Sequence, residues 1–216
     1  MTEVIDRADG ECGELVLRRS GADLEVIADG MFLMDTRDGR SERLLVTAAA
    51  DQLRPDASMV IGGLGVGFSL RAALDHPGVG EVVVVEREPA VIDWNRTGPL
   101  REVHGDALAD ERVRLVRDDL VHWLSQSAGH ERFDALCLDI DNGPDWTLSE
   151  GNAALYDAAG LELLAAQLRV GGLLAVWSAH SSQAFTGLLR EHFDEVRVLD
   201  IPVPRGEPDV IWLARN

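Results

Sequence analysis

Between the apolar run MVI and the helical pattern FSLRAALD, glycine occupies positions 62, 63, 65 and 67. Glycine weakens strands and helices alike. Its concentration at their junction therefore requires a tight turn with φ > 0, or backbone brought close to something bulky. A glycine-rich loop that follows a strand and opens a helix is the start of a nucleotide-type α/β unit.

The chain downstream keeps the alternation. Strand-like runs fall at MVIGG (59–63), EVVVVE (81–86), VRLVR (113–117), FDALCLDI (133–140), LLAVWS (173–178), EVRVLDI (195–201) and DVIWLA (209–214). Helical runs intervene at about 67–76, 88–96, 119–127, 153–169 and 183–192. Continuous apolar runs such as VVVV imply strands covered on both faces, as in a parallel sheet. Only PVPRGEP separates the last two strands, too little for a helical crossover, so they should pair antiparallel. The expected fold is α/β: a Rossmann-like, seven-stranded methyltransferase-type sheet whose last strand is antiparallel. Ahead of it, ELVLRR, LEVIADG and MFLMDT read as short strands, and SERLLVTAAADQL (41–53) as a helix capped by Ser41. The expected division is a β-hairpin segment and helix over 1–55, then a nucleoside-binding domain over 56–216.

Charge narrows the partners. With 38 acidic and 20 basic residues the formal net charge is −18. That argues against nucleic acid and anionic membranes, which need a basic footprint. It is compatible with a cationic substrate. No apolar run approaches the roughly 18 residues of a membrane span, and the acidic N-terminus carries no secretory signal. Cys12 and Cys137 make no disulfide framework, and Cys137, inside an apolar run, reads as a small core residue. The six histidines show no metal-ligand spacing. The expectation is a cytoplasmic protein without a metal.

Four groups of residues carry chemistry. Gly62, Gly63, Gly65 and Gly67 form the expected cofactor loop. Phe68 stands where a dinucleotide pattern would put its third glycine, so a nucleoside is favoured over a dinucleotide. Glu86 ends the next strand, 21 residues after Gly65, where a carboxylate can accept from both ribose hydroxyls. Asp118 and Asp119 end the third strand and border the same crevice; one should cap the following helix and the other can accept from an adenine amino group. In LCLDIDNGPDW (136–146), Asp139 directly follows an apolar run and should lie on the crevice floor. Asp139, Asp141 and Asp145 could bind or deprotonate an amine, although turn chemistry explains Asp141 equally well. Tyr156, the only tyrosine, either lines this pocket or packs on the sheet.

The order glycine loop, Glu86, Asp118-Asp119, FDALCLDIDNGP and LRVGGLLAVWS resembles the spermidine synthase family of polyamine aminopropyltransferases. LEVIADGMFLMDTRDGRSERLL likewise resembles that family's β-rich opening segment. The resemblance implies aminopropyl transfer from decarboxylated S-adenosylmethionine to a small-molecule amine, and it admits a homodimer. Glu86 would hold the ribose, Asp119 the adenine amino group, and Asp139 would orient and deprotonate the amine. Asp141 and Tyr156 would complete the catalytic set. The family's loop aspartate falls on Gly65, its LDG-x-x-Q glutamine on Leu33, its YHE tyrosine and histidine on Arg40 and Ser41, and its second DSSDP carboxylate on Asn142. Two other readings stand beside it: a methyltransferase using S-adenosylmethionine itself, and a nucleoside-binding protein without catalysis.

Overall fold

The computed structural model describes residues 2–11, 13–127, 131–147, 150–204 and 206–216, so Cys12 and His130 lie outside the described residues. The N-terminal strands β1 (Thr2–Gly10), β2 (Gly13–Ser20), β3 (Asp23–Ala28) and β4 (Met31–Asp35) form an antiparallel meander in that order. Asp29 and Gly30 both take positive φ (48° and 78°) in the two-residue turn joining β3 to β4. Such a turn follows the twist of the strands it links. Strand β1 has no counterpart in the sequence reading. Its residues are mostly exposed, so no buried face marks it.

Helix α1 (Arg40–Ala50) comes next and packs on the large sheet described below. It starts one residue earlier than expected, with Gly39 at the N-cap position and no side-chain cap. The ring of Phe68 lies where a Cβ at Gly39 would go. The Ser41 hydroxyl is already inside the helix and donates to the Glu42 carboxylate at 3.1 Å.

From there strands and helices alternate through β5 (Ala57–Gly62), α2 (Phe68–Asp75), β6 (Val79–Glu86), α3 (Pro89–Arg96) and a short α4 (Arg101–His104). Then come β7 (Val113–Arg117), α5 (Leu120–Ser127), β8 (Phe133–Leu138), α6 (Ala158–Gln167), β9 (Leu168–Ser178), α7 (Gln183–His192), β10 (Glu195–Ile201) and β11 (Asp209–Arg215). The seven-stranded sheet has the order β10-β11-β9-β8-β5-β6-β7. β11 is antiparallel to both neighbours and the other pairings are parallel. The expected fold class holds.

The run of valines in β6 shows why both faces must be covered. Val82 and Val84 enter one core with α1, α2 and α3, whereas Val83 and Val85 enter the other with α5, α6 and α7. Cys137 belongs to the first core, fully buried, and burial pushes its thiol up to about 12. The helix expected over 153–169 divides into a 3-10 turn at Glu150–Leu155, α6, and a strand that already begins at Leu168. Asp157 takes an extended conformation (φ −95°, ψ 177°) and caps α6 by accepting from Gly160 N, so the helix starts afresh there rather than running on from the 3-10 turn. No helix among the described residues is long and apolar enough to cross a membrane.

Trp212 of β11 is 1% exposed, meets Phe185 edge to face with centroids 5.1 Å apart, and donates from Nε1 to Thr186 Oγ1 at 2.8 Å. Trp212→Ala should cost about 3–5 kcal/mol through the cavity it leaves. Urea denaturation should show this as a lowered midpoint; an unchanged midpoint would mean that α7 and β11 are not coupled in this way.

Candidate active site

A cavity of about 750 Å³ opens at the carboxyl ends of β5 to β8, under a roof contributed by β3 and β4. Open α/β sheets place their ligands outside these strand ends. The loop after β5 forms one wall. Gly63, Gly65 and Gly67 have φ of 89°, 54° and 93°, which a side chain would resist. A Cβ at Gly63 would collide with the Asp139 carbonyl, and one at Gly67 with the His104 ring. Close approach of the two strand ends thus explains Gly63. Met34 of the roof lies 3.5 Å from where a Cβ at Gly65 would be.

Glu86 is 8% exposed and serves two neighbours at once. Its Oε2 accepts from Leu64 N at 2.9 Å and its Oε1 from Glu88 N at 2.8 Å. Burial pushes its carboxyl above the ordinary range, while these two N–H donors pull the other way. Asp119 caps α5, its Oδ1 accepting from His122 N at 3.1 Å, and its Oδ2 is 3.9 Å from Arg87. Asp118 accepts from Asp119 N and from the His122 ring. Both aspartates border the cavity.

Across the crevice, Asp139 follows the last residue of β8. Its Oδ2 accepts from Ser69 Oγ at 3.4 Å, and the same hydroxyl is 3.2 Å from the Glu42 carbonyl of α1. Burial, then the charge of Glu42 and, more weakly, that of Asp209, push the Asp139 carboxyl up to about 7 against the Ser69 bond. Burial also raises Glu42. Arg37 and Arg87 are the basic residues that line the cavity among the described residues. Arg37 is engaged with Glu25, Asp23 and Asp35.

The structure brings Gly63, Gly65, Glu86, Asp118, Asp119, Asp139 and Asp141 to one cavity. Gly62, Gly67 and Tyr156 do not line it. Gly62 is interior, packed under Leu120, and Gly67 is the N-cap of α2. Tyr156, expected in the catalytic set, is 8% exposed and packs edge to face on Phe185. Its hydroxyl donates to Asp141 Oδ2 at 2.9 Å, and Asn152 Nδ2 donates to the other oxygen at 3.0 Å. Tyr156 therefore acts on the crevice through Asp141. Sequence reasoning missed Glu42, Ser69, Trp177 and Asp209, all of which line the cavity. A signal existed for Glu42: with Arg40 and Ser41 aligned to the tyrosine and histidine of a YHE triplet, Glu42 stands on its glutamate. Asp209 carried none, because only the sheet order brings β11 beside β9.

The spermine/spermidine synthase domain model matches residues 39–185, which include the loop, Glu42, Glu86, Asp118, Asp119, Asp139 and Asp141, but not Asp209. The chain belongs to this family. A polyamine aminopropyltransferase of Mycobacterium tuberculosis (strain CDC 1551 / Oshkosh) is 37% identical over 166 residues, covering 76% of this chain and 30% of that protein. Polyamine aminopropyltransferase 2 of Pseudomonas aeruginosa is 30% identical over 174 residues, 76% of this chain and 47% of its own. The chain thus spans about a third to a half of the length of these relatives. A spermidine synthase solved with the transition-state analogue AdoDATO superposes with a TM-score of 0.80 at 18% identity, over 99% of this chain and 73% of its own. Human methyltransferase-like protein 13, solved with SAH, reaches 0.57 at 17% identity, over 80% of this chain and 78% of its own.

For this family member, the elevated carboxyl of Asp139 has a stability consequence. Between about pH 4 and 7 the folded chain holds that proton more tightly than the unfolded chain, so stability falls as pH rises through the window. Asp139→Asn should remove the share of the slope that Asp139 contributes. The variant should match the parent near pH 4 and exceed it by about 1–3 kcal/mol near pH 8. Urea denaturation at the two pH values reads this directly, and a variant less stable near pH 8 would contradict it.

Proposed function

We propose that this protein transfers an aminopropyl group from decarboxylated S-adenosylmethionine to a small-molecule amine. The observation that carries this reading is the charge of the crevice. Glu42, Asp139 and Asp209 face it from three separate elements, and its lining arginines stand beside carboxylates. Such a site favours cationic ligands and disfavours burial of another carboxylate. S-adenosylmethionine differs from its decarboxylated form by one carboxylate. Gly65 supplies no side-chain charge, but the remaining wall is acidic enough to make that difference count.

The residues present suit the nucleoside. Glu86 keeps lone pairs beyond the two used by Leu64 and Glu88, and these can accept from ribose hydroxyls. Asp119 uses Oδ1 as a helix cap and keeps Oδ2 for the adenine amino group. Asp118, braced by His122, holds the same edge of the crevice. The glycine loop brings bare backbone against the sugar.

Bound decarboxylated S-adenosylmethionine would supply a carbon beside a positive sulfur, which leaves as a neutral thioether with the C–S bonding pair. Asp139 has the complementary task. Amines are protonated at neutral pH, and a carboxylate pushed up to about 7 can first take the ammonium proton, freeing the nitrogen lone pair that then forms the C–N bond as the C–S pair leaves on sulfur. Glu42 and Asp209 stabilise the cation of the approaching amine. Asp141, fixed by Tyr156 and Asn152, closes the floor beside Asp139. Positioning and one proton transfer suffice, because the sulfonium is already a good leaving group.

Thermal shift separates this proposal from its rival. A ligand at 100 times its dissociation constant stabilises by about 2.7 kcal/mol, roughly 5–10 °C for a chain of this size. Decarboxylated S-adenosylmethionine and methylthioadenosine should give the larger shifts. A shift with S-adenosylmethionine and S-adenosylhomocysteine alone would point to methyl transfer, and none with any of the four to a protein without this activity. In a turnover assay Asp139→Asn should lose about 10²–10⁴ in kcat with little change in nucleoside affinity. Retained activity would move the base to Asp141.

A further inference from the structure

Asn95 lies on α3, is fully buried, and does not line the cavity, yet it reaches the glycine loop. Its Nδ2 donates to Gly65 O at 2.9 Å and to Val91 O at 2.8 Å. Two carbonyl oxygens fix which end of the amide faces them, because only the NH2 end can donate to both. The Gly65 carbonyl is thus drawn away from the crevice into the protein. In a planar trans peptide the N–H of the next residue points the opposite way. That residue is Val66, which lines the cavity with Gly65. Among the described residues its N–H has no acceptor. A backbone donor without a protein partner at the edge of a cavity is free to meet an acceptor from solvent or from a ligand.

We infer that Asn95 is a positioning residue of the nucleoside site: by holding the Gly65 carbonyl it turns the Val66 N–H towards the ligand. The loop is then held at three successive places. Glu86 takes the Leu64 N–H, Asn95 takes the Gly65 carbonyl, and the His104 ring fills the space under Gly67. Burial keeps His104 below the ordinary imidazole range, so this support is a neutral ring near pH 7. The inference rests on the nucleoside reading of the crevice.

Two variants test it. Asn95→Ala removes both hydrogen bonds. Asn95→Thr can keep a helix-type bond to Val91 O but is too short to reach Gly65 O, so it isolates the contact that matters. Calorimetric titration with methylthioadenosine should show about tenfold weaker binding by each folded variant, the loss expected for one buried hydrogen bond and a misdirected donor. Hydrogen exchange should show the Val66 amide gaining protection on ligand binding in the parent and not in Asn95→Thr. A purely structural role would lower the melting temperature while leaving both readouts unchanged. Parental affinity in the folded Thr variant would overturn the inference. If the parent itself bound no nucleoside, the functional proposal would fail, and exchange in the free protein would decide the matter. There the Gly67 amide, bonded to Leu64 O at 2.9 Å, should exchange about tenfold faster in Asn95→Thr. No acceleration would sink the inference on its own.

Discussion

The hydrogen bonds of one buried carboxylate, Glu86, tie the crevice together. Its two oxygens accept from Leu64 N in the glycine loop and from Glu88 N at the start of α3. Glu88 in turn accepts from Glu11 N, next to the tip of the β1–β2 hairpin, at 3.0 Å. One chain of polar contacts therefore runs from the loop through the end of β6 to the N-terminal sheet. Each bond is charge-assisted, a class that contributes roughly 1.5–3 kcal/mol. The roof strands β3 and β4 belong to the sheet that this chain anchors. A second tether, from Trp94 Nε1 to Asp6 Oδ2 at 2.8 Å, acts from the same helix α3.

Around that frame the crevice is built against its own comfort. Glu42, Glu86 and Asp139 all carry carboxyls raised by burial, and Glu42 and Asp139 also repel one another. Burial of such charges lowers stability at neutral pH, and a neighbouring positive charge offsets part of that cost. The cost falls on the lining of one cavity, and strained charges gathered in a cleft mark a candidate site. Asp141 shows the other solution. Tyr156 and Asn152 satisfy its two oxygens, so it can be buried as a fixed element.

Much of this was legible in order along the chain. Apolar runs of β6 and β8 announced a sheet covered on both faces, because a strand buried on two sides cannot alternate. The glycines at 63, 65 and 67 announced positive φ, and the acids at or just after the ends of β6, β7 and β8 marked the crevice edge. Harder to read were β1, whose exposed residues carry no pattern, and the start of β9 at Leu168, hidden inside the run LELLAAQLRV, whose apolar residues suit helix and strand alike. Tyr156 was ambiguous between pocket and sheet, and a single hydrogen bond to Asp141 resolved it.

The sequence by itself determined the alternation of elements, the reversal of the last strand and the identity of the residues at each strand end, since these follow from local periodicity and short connections. Family membership was also present in the residues themselves. Only the tertiary structure decided which acids face one another. Glu42, Asp139 and Asp209 are separated by long stretches of chain and meet because β11 inserts beside β9 while α1 packs across the same sheet face. Likewise no local pattern links Asn95 to Gly65, thirty residues apart. Hydrogen bonds and charge repulsion depend on distance in space, and the chain acquires those distances only when the sheet closes its order.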